Sequence, residues 1–349
     1  MFNRRTLGLL SALAWAALAP AHAEPLAQRF SALYDAAKPE KQVVFYNTFR
    51  KDTNQQLADF WQKNFPDISL KIVQKQSLDL IPTIESEKAA GKTLADVVMI
   101  NETFVADEWK KKGYLAPYRV SDFDKFPAQY RDNDGAYYIT TVALLTAAYN
   151  SRAFPDKSVL PHNLKGFTDP RWKDQLLLGD PKVAASNQAF FLTLLDNGKM
   201  NWDLLAALAQ QNILFTRGNA DSARLIATGE RTLSPMVSSQ NVIAAREKGQ
   251  PIDFYILDEG AIQLLQPVGL FNGSPHPNAG KLLMETLTSV EGQELVAQAG
   301  AYWPTHPDAN APEHLPKLAT LHPDASRVEI GGAASEAFLS RFSQVFKRN

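Results

Sequence analysis

The stretch from residue 42 to residue 54 reads QVVFYNTFRKDTN, and it decides how the first part of the chain folds. Residues 42–46 form a short apolar and aromatic run, which is typical of a buried strand. Residues 47–49 interrupt this run, and Asp52 and Thr53 can cap a helix whose apolar residues follow at helical spacing. The pattern predicts a strand, a polar turn and a helix, which together make the first unit of an α/β domain.

The first 23 residues have the composition of an export signal. Arg4 and Arg5 precede an apolar run at 7–18 that is too short to span a bilayer, and residues 21–23 form an Ala-His-Ala cleavage motif. The sequence therefore predicts a signal peptide at residues 1–23 and a mature protein in the periplasm. The paired arginines leave twin-arginine export open beside ordinary secretion.

The composition gives an almost balanced charge and no cysteine. The 349 residues include 36 Lys and Arg against 37 Asp and Glu, so the formal net charge is −1. This balance lacks the basic excess that binds nucleic acid or an anionic membrane surface, and we expect neither partner. Without disulfides, an exported chain depends on its hydrophobic core, and this length suffices for two lobes of about 150 residues each.

Strand and helix patterns alternate through the first third of the chain, which predicts a mostly parallel sheet. Polar residues follow three of the predicted strands, at 47–48, 76–77 and 101–103. In an open α/β sheet, ligands bind beyond the carboxyl ends of the strands, although each polar turn could instead be a helix cap. The candidate ligand-binding residues here are Asn47, Thr48, Phe49, Ser77, Asn101 and Glu102.

A second series of strands and helices at 175–257 repeats the pattern, with polar residues at the predicted helix starts. Helix N-termini favour a phosphate, a phosphonate or a carboxylate. Arg217 either completes such a site or forms a surface ion pair, and Asp258 either meets an amine or takes part in hinge hydrogen bonding. The candidates in this half are Ser186, Asn187, Arg217, Asn219, Ser238, Ser239 and Asp258.

Three motifs near the end of the chain carry a family resemblance: GQPI at 249–252 with DEG at 258–260, SPHPNA at 274–279, and TSVEGQ at 288–293. In this order and spacing the chain resembles the solute-binding proteins of bacterial ABC importers, in the branch usually labelled ferric-iron-binding. The resemblance implies an α/β, two-lobed periplasmic-binding-protein type II fold with two hinge crossovers, which closes over a small-molecule ligand.

The order of the predicted strands and helices gives an expected division of the chain. Residues 24–141 and 264–349 would form lobe 1, including a last helix with aromatic residues on one face, and residues 142–263 would form lobe 2. The expected partner is an ABC permease in the inner membrane. We expect a monomer without a cofactor.

The ligand implied by that branch conflicts with the residues of this chain. Members that bind ferric iron use adjacent tyrosines after the strand that ends here at Val237, where this chain has SSQN at 238–241. Fe(III) favours anionic oxygen ligands, so we expect no metal and instead a small organic anion, with ferric iron as the alternative. The tyrosine pair at 137–138 stands before the first crossover, and we expect it to be structural.

Enzyme signatures are missing from the sequence. It contains neither G-x-S-x-G nor H-E-x-x-H, and its histidines lack metal-ligand spacing. The sequence therefore predicts a binding protein. An exported enzyme on the same fold and a ligand-loaded partner of a membrane chemoreceptor stay as alternatives.

Overall fold

The computed structural model describes residues 25–347 except 314, 322, 326–327 and 329–331, so the predicted signal peptide at 1–23 lies outside the described residues. Within this range no helix is long and apolar enough to cross a membrane. The helices are α1 Leu26–Arg29, α2 Ser31–Ala37, α3 Lys51–Asn64, α4 Ser77–Ala89, α5 Thr103–Lys111, α6 Ala185–Asp196, α7 Trp202–Ala209, α8 Asn219–Thr228, α9 Ser239–Glu247, α10 Pro277–Thr288, α11 Val290–Gly300 and α12 Ala333–Val345. The strands are β1 Gln42–Asn47, β2 Ser69–Gln74, β3 Val97–Met99, β4 Tyr138–Asn150, β5 Leu177–Gly179, β6 Leu214–Thr216, β7 Leu233–Ser238, β8 Ile252–Tyr255, β9 Ile262–Leu270, β10 Trp303–Pro304 and β11 Asp324–Ala325.

The main sheet is mixed, not mostly parallel as the sequence predicts. Its central order is β2-β1-β3-β9-β4-β10. Strands β1, β2 and β3 are parallel, whereas β9 runs antiparallel to both β3 and β4. A parallel pair needs a long crossover, usually a helix, and the first three strands have one. Strands β8 and β9 instead follow each other along β4 and both run antiparallel to it, so β9 takes its direction from its pairing with β4.

Strand β4 is long enough to belong to two parts of the molecule. Its residues 138–145 pair with β9, and its residues 145–150 pair with β7 and β8. We use lobe 1 for the part around β1, β2, β3 and β9, and lobe 2 for the part around β5 to β8. The run at 137–150 therefore leads the chain from lobe 1 into lobe 2, as its apolar pattern predicts.

Helix α3 begins earlier than the capping residues predict. Its N-cap is Arg50, and Asp52 lies in the first turn. The Asp52 carboxylate accepts a hydrogen bond from the Thr53 N–H at 3.0 Å and lies 3.3 Å from the Arg50 Nε. An acidic side chain is stabilised by the helix dipole anywhere in the first turn, so its identity alone did not fix the cap.

Phe49 belongs to the core. Its side chain has 0 % exposure, and its ring centroid lies 6.3 Å from that of Phe45 and 5.9 Å from that of Tyr302. The prediction that Phe49 lines a ligand-binding wall is therefore wrong, because this apolar ring is packed beneath the turn that follows β1.

The last helix packs on lobe 2, whereas all of 264–349 was expected to belong to lobe 1. Helix α12 contacts α6 and α7. The Phe342 ring lies 5.1 Å from Phe191 and 5.7 Å from Phe215, and the Phe338 ring lies 5.9 Å from Phe191. Strand β10 still pairs with β4 at Thr141 in lobe 1, so the chain passes between the lobes a third time after Pro304. The aromatic face was visible in the sequence, but its partner surface was not.

Candidate functional site

Lobe 1 presents a hydrogen-bonded group of polar side chains where its parallel strands end. The Thr48 hydroxyl donates to the Asn101 Oδ1 at 3.1 Å, and the Asn101 Nδ2 donates to the Ser77 Oγ at 3.5 Å. Gln266, from the neighbouring strand β9, donates its Nε2 to the same Asn101 oxygen at 3.1 Å. The structure thus brings three predicted residues, each following a different strand, around the Asn101 amide.

Glu102 is a partly buried acid beside this group. Its Oε2 accepts a hydrogen bond from the Asn101 N–H at 3.0 Å. Burial raises the pKa of the Glu102 carboxyl to about 7, although hydrogen bonds from the Ser77 hydroxyl and the Asn101 N–H oppose the shift. Desolvation outweighs these two bonds because both partners are neutral. Near neutral pH this carboxyl therefore exists in both protonation states.

Substitution Glu102→Gln is expected to remove a pH-dependent part of the stability. The folded pKa of about 7 lies above the ordinary value of 4.5, so the folded protein holds this proton more tightly than the unfolded chain does. The contribution of the Glu102 proton to the free energy of unfolding is fully present below pH 4.5 and is lost as the pH rises through 7. Between pH 5 and pH 8 the wild type should lose about 2 kcal/mol that the variant keeps.

Urea denaturation at pH 5, 6, 7 and 8 measures this effect. Glu108→Gln is the matched control, because Glu108 lies on the same helix but pairs with Lys111 at 2.8 Å at the surface. Identical pH profiles for the wild type and Glu102→Gln would contradict the prediction.

Lobe 2 presents a second polar group, built from the N-termini of three helices. Asn219, the first residue of α8, donates its Nδ2 to the Ser186 Oγ at 3.1 Å and to the Asn187 Oδ1 at 3.4 Å. Its Oδ1 accepts a hydrogen bond from the Ser238 N–H at 2.9 Å, just before α9 begins. Ser186 and Asn187 belong to the first turn of α6. One amide side chain therefore ties three helix starts together.

Two local features hold this second group in place. Gly179 ends β5 so close to α6 that an added Cβ would lie 2.5 Å from the Asn187 amide, which leaves room only for glycine. The Asn187 Nδ2 also donates to the Asp180 backbone oxygen at 3.1 Å. The Ser238 side chain is only 3 % exposed, and its hydroxyl has no partner among the residues that the structure describes. A buried hydroxyl without a partner is unusual and indicates an available hydrogen-bonding group.

Ser186 of the lobe 2 group and Asn101 with Glu102 of lobe 1 line one narrow cavity. Its volume is about 20 Å³, which is room for about one water molecule. Both lobes contribute to the lining, which consists of Asn101, Glu102, Thr103, Ala185, Ser186, Ala189, Leu264 and Val328. The lobes are therefore close together here, and a solute would have to separate them slightly in order to enter.

Arg50 connects the lobes beside this cavity. Its Nη1 donates to the Gln240 backbone oxygen at 3.3 Å, in the first turn of α9 in lobe 2. Its Nη2 donates to the Ala299 backbone oxygen at 3.2 Å, near the end of α11. The guanidinium can make both bonds because its donors are fixed in one plane. Arg50 therefore stabilises the arrangement in which the lobes lie close together.

Substitution Arg50→Ala is expected to open the cleft. A hydrogen bond from a charged donor contributes about 1.5–3 kcal/mol, so loss of the Gln240 contact should shift the balance between open and closed forms about tenfold or more. Small-angle scattering of the solute-free protein should then give a larger radius of gyration. Arg29→Ala, which removes the surface pair between Arg29 and Glu291, is the control. An unchanged radius for Arg50→Ala would argue against this role.

The remaining predicted residues lie outside the two polar groups. The Asn47 side chain is buried, and its Oδ1 accepts a hydrogen bond from the Phe49 N–H at 2.9 Å, which shapes the turn after β1. Ser239 is buried, and its Oγ accepts a hydrogen bond from the Leu144 N–H at 3.4 Å. Arg217 and Asp258 are exposed.

The tyrosine pair at 137–138 makes hydrogen bonds within lobe 1. The Tyr137 hydroxyl donates to the Asp107 Oδ1 at 2.5 Å, and the Tyr138 hydroxyl donates to the Tyr118 backbone oxygen at 2.8 Å. In the parts of the chain that the structure covers, no cluster of three His, Asp or Glu side chains is placed to hold a metal ion. Both tyrosines thus have a structural role within lobe 1, as their position before the first crossover predicts.

Sequence reasoning missed three residues of the site. Gln266 and Thr141 hydrogen-bond to each other from β9 and β4, and Arg50 donates to the Gln240 backbone oxygen. The two strand residues did carry a signal, because each is a polar side chain inside an otherwise apolar run. Such residues need a buried partner, which marks them as structural or functional.

Comparison with known proteins shows the family to which this chain belongs. Residues 92–323, more than half of the chain, match the family model of the bacterial extracellular solute-binding proteins. The chain is therefore a member of that family of solute-binding proteins.

Three solved structures share the fold. The substrate-binding protein of an ABC transporter from Agrobacterium tumefaciens matches with a TM-score of 0.78 at 14% identity, over 88% of this chain and 94% of that one. Iron-bound HitA from Pseudomonas aeruginosa matches with a TM-score of 0.73 at 20% identity, over 87% of this chain and 99% of that one. The periplasmic binding protein AfuA from Actinobacillus pleuropneumoniae, with fructose-6-phosphate bound, matches with a TM-score of 0.72 at 19% identity, over 88% of this chain and 98% of that one. The fold is thus the two-lobed fold of type II periplasmic binding proteins.

Proposed function

We propose that this protein is the solute-binding component of an ABC importer and captures a small organic anion between its lobes. The anion would be a phosphonate, a phosphate ester or a carboxylate. The observation that carries the proposal is the meeting of the α6, α8 and α9 N-termini at Ser186, Asn187, Asn219 and Ser238. Each of these helices has at least eight residues, and their partial positive charges add at the point where they meet.

The proposed mechanism needs binding and closure but no chemical step. An anion held at Ser186, the residue of the lobe 2 group that lines the cavity, would also contact Asn101 and Glu102 on the lobe 1 side. A solute shifts the protein towards the closed form only by its greater affinity for that form. A permease in the inner membrane would then recognise the closed form. The predicted signal peptide at 1–23 would bring the mature, monomeric protein to the periplasm.

Three further observations support an organic anion. AfuA, which has the same fold, was solved with a sugar phosphate in place. The site in this chain offers backbone N–H groups, hydroxyls and amides, which suit the oxygen atoms of such a group. Arg217, at the end of β6 directly before α8, is exposed and could approach an anion with its guanidinium.

Ferric iron is the second candidate. HitA was solved with iron bound, and FutA from Trichodesmium was solved with iron and citrate. Fe(III) prefers anionic oxygen ligands, yet the position that follows β7 holds Ser238 and Ser239. Glu102 alone would supply one carboxylate at the cavity. We therefore favour the organic anion.

Thermal unfolding against a solute panel tests the two candidates. The panel contains inorganic phosphate, propylphosphonate, glycerol 3-phosphate, succinate and Fe(III) nitrilotriacetate, with glycerol as the uncharged control. A solute at 100 times its Kd should add about 2.7 kcal/mol of stability, which raises Tm by several degrees. Native mass spectrometry of protein purified without refolding gives a second reading. If Fe(III) alone raised Tm, ferric iron would replace the organic anion as the proposed solute.

A further inference from the structure

The two walls of the cavity differ in the hydrogen bonds that they can offer. The lobe 2 wall carries the first turn of α6, with Ser186 tied to the starts of α8 and α9. The lobe 1 wall carries the Glu102 carboxylate and the Thr103 hydroxyl. A carboxylate only accepts hydrogen bonds when ionised, whereas backbone N–H groups only donate. A solute that fills the cavity therefore meets backbone donors on the lobe 2 side and, when Glu102 is ionised, a carboxylate acceptor on the lobe 1 side.

Thr103 and Glu102 have unused hydrogen-bonding capacity in this wall. Thr103 is only 4 % exposed, and its Oγ1 has no partner among the described residues even though the side chain lines the cavity. The Glu102 carboxylate receives hydrogen bonds from the Asn101 N–H and the Ser77 hydroxyl. Two carboxylate oxygens provide about four acceptor sites, so further donors can be bound. Buried acceptors normally have partners, and here the missing partner would come from the solute.

This arrangement penalises a simple anion. An anion bound at Ser186 has the Glu102 carboxyl on the opposite wall of a cavity of about 20 Å³. In its ionised form this carboxylate repels the anion at short range unless a donor lies between them. A solute with a hydroxyl or an ammonium group next to its anionic group would place that donor against Glu102.

We propose that Glu102 and Thr103 select solutes that carry a hydrogen-bond donor, a hydroxyl or an ammonium group, at the end opposite their anionic group. The proposal rests on the proposed function, because it takes the lobe 2 group as the site of the anion. It narrows the solute class from any small organic anion to a bifunctional one. Glu102 is then the residue that determines specificity, and the Thr103 hydroxyl is a second contact to the same donor.

Three phosphonates of equal chain length test the selection. Propylphosphonate has a methyl group at the position where 2-hydroxyethylphosphonate has a hydroxyl and 2-aminoethylphosphonate has an ammonium. Calorimetric titration should show that the wild type binds at least one donor-bearing compound ten times more tightly than propylphosphonate. Glu102→Ala should reduce this ratio to about one, through weaker binding of the donor-bearing compound.

Glu102→Gln distinguishes the two kinds of donor. Its amide oxygen still accepts from a hydroxyl, so preference for the hydroxyl compound should persist, whereas preference for the ammonium compound should fall because the charge is gone. Glu108→Gln, on the same helix but at the surface, should keep the wild-type ratio. Melting temperatures of all variants show whether each is folded.

The outcomes separate this inference from the proposed function. If all three phosphonates bind with equal affinity, or if Glu102→Ala keeps the wild-type ratio, the selection by Glu102 is wrong while the anion site stands. If none of the three binds and Fe(III) does, the proposed function itself is overturned together with the inference.

Discussion

Asp96→Asn is expected to lower the free energy of unfolding by about 3–5 kcal/mol, because Asp96 is a fully buried carboxylate with four hydrogen-bond donors around it. Its Oδ1 accepts from the Ser274 hydroxyl at 2.6 Å and from the His276 N–H at 2.8 Å. Its Oδ2 accepts from the Val44 N–H at 2.7 Å and lies 2.9 Å from the His276 Nδ1. An amide would turn one of these oxygens into a donor that faces two other donors.

The same cluster explains the SPHPNA motif at 274–279. The Nε2 of His276 lies 3.0 Å from the Gln42 Nε2, so the ring accepts there while its Nδ1 donates to Asp96. The carboxylate thereby ties β1, the start of β3 and the turn before α10 together, far from the carboxyl ends of the parallel strands.

Urea denaturation of the wild type and Asp96→Asn measures the loss. Asp134→Asn is the matched control, since Asp134 is exposed and pairs with Lys110 at 2.7 Å, and such surface pairs contribute at most about 1 kcal/mol. Solute affinity of the folded Asp96 variant should stay at the wild-type value. A denaturation midpoint equal to that of the wild type would show that this carboxylate is not essential to the fold.

Asn219→Asp is expected to weaken binding of an organic anion by about 100-fold, which corresponds to about 2.7 kcal/mol. Asn219 lies at the centre of the lobe 2 group, where its Nδ2 and Oδ1 hold α6 and α9. Aspartate has the same size and keeps the acceptor for the Ser238 N–H. It adds a negative charge that repels an anion, but the α8 dipole stabilises that charge, so the variant should fold.

This substitution also distinguishes the two ligand candidates by sign. A carboxylate at residue 219 should weaken anion binding but should maintain or increase affinity for Fe(III), a cation that prefers such oxygens. Asn201→Asp is the control, because it also places an aspartate at a helix start, but Asn201 caps α7 through the Leu204 N–H and does not belong to the lobe 2 group. Titration of both variants with propylphosphonate and with Fe(III) nitrilotriacetate gives the comparison. Unchanged phosphonate affinity in Asn219→Asp would show that the anion does not bind at the lobe 2 group.

The local elements followed from the sequence because their signals are local. The apolar runs at 42–46 and 233–237 are strands β1 and β7, and the starts of α6, α8 and α9 fall within one residue of Ser186, Asn219 and Ser238. Apolar spacing and capping residues act over a few positions, so they can be read without the rest of the chain. The antiparallel directions of β4 and β9 could not be read in this way, since strand direction depends on how the connections run.

The sequence by itself determined that polar residues stand at the ends of several strands and at the starts of several helices, which predicted a binding site of neutral donors. Only the tertiary structure decided which of them meet. Asn219 contacts Ser186 across 33 residues of chain, and Gln266 contacts Asn101 across 165. Such contacts arise from the packing of whole elements: the pairing of β3 with β9 brings Gln266 to Asn101, and the pairing of β5 with β6 brings Asn219 to Ser186. The position of α12 on lobe 2 was decided in the same way, because an apolar helix face does not specify the surface that covers it.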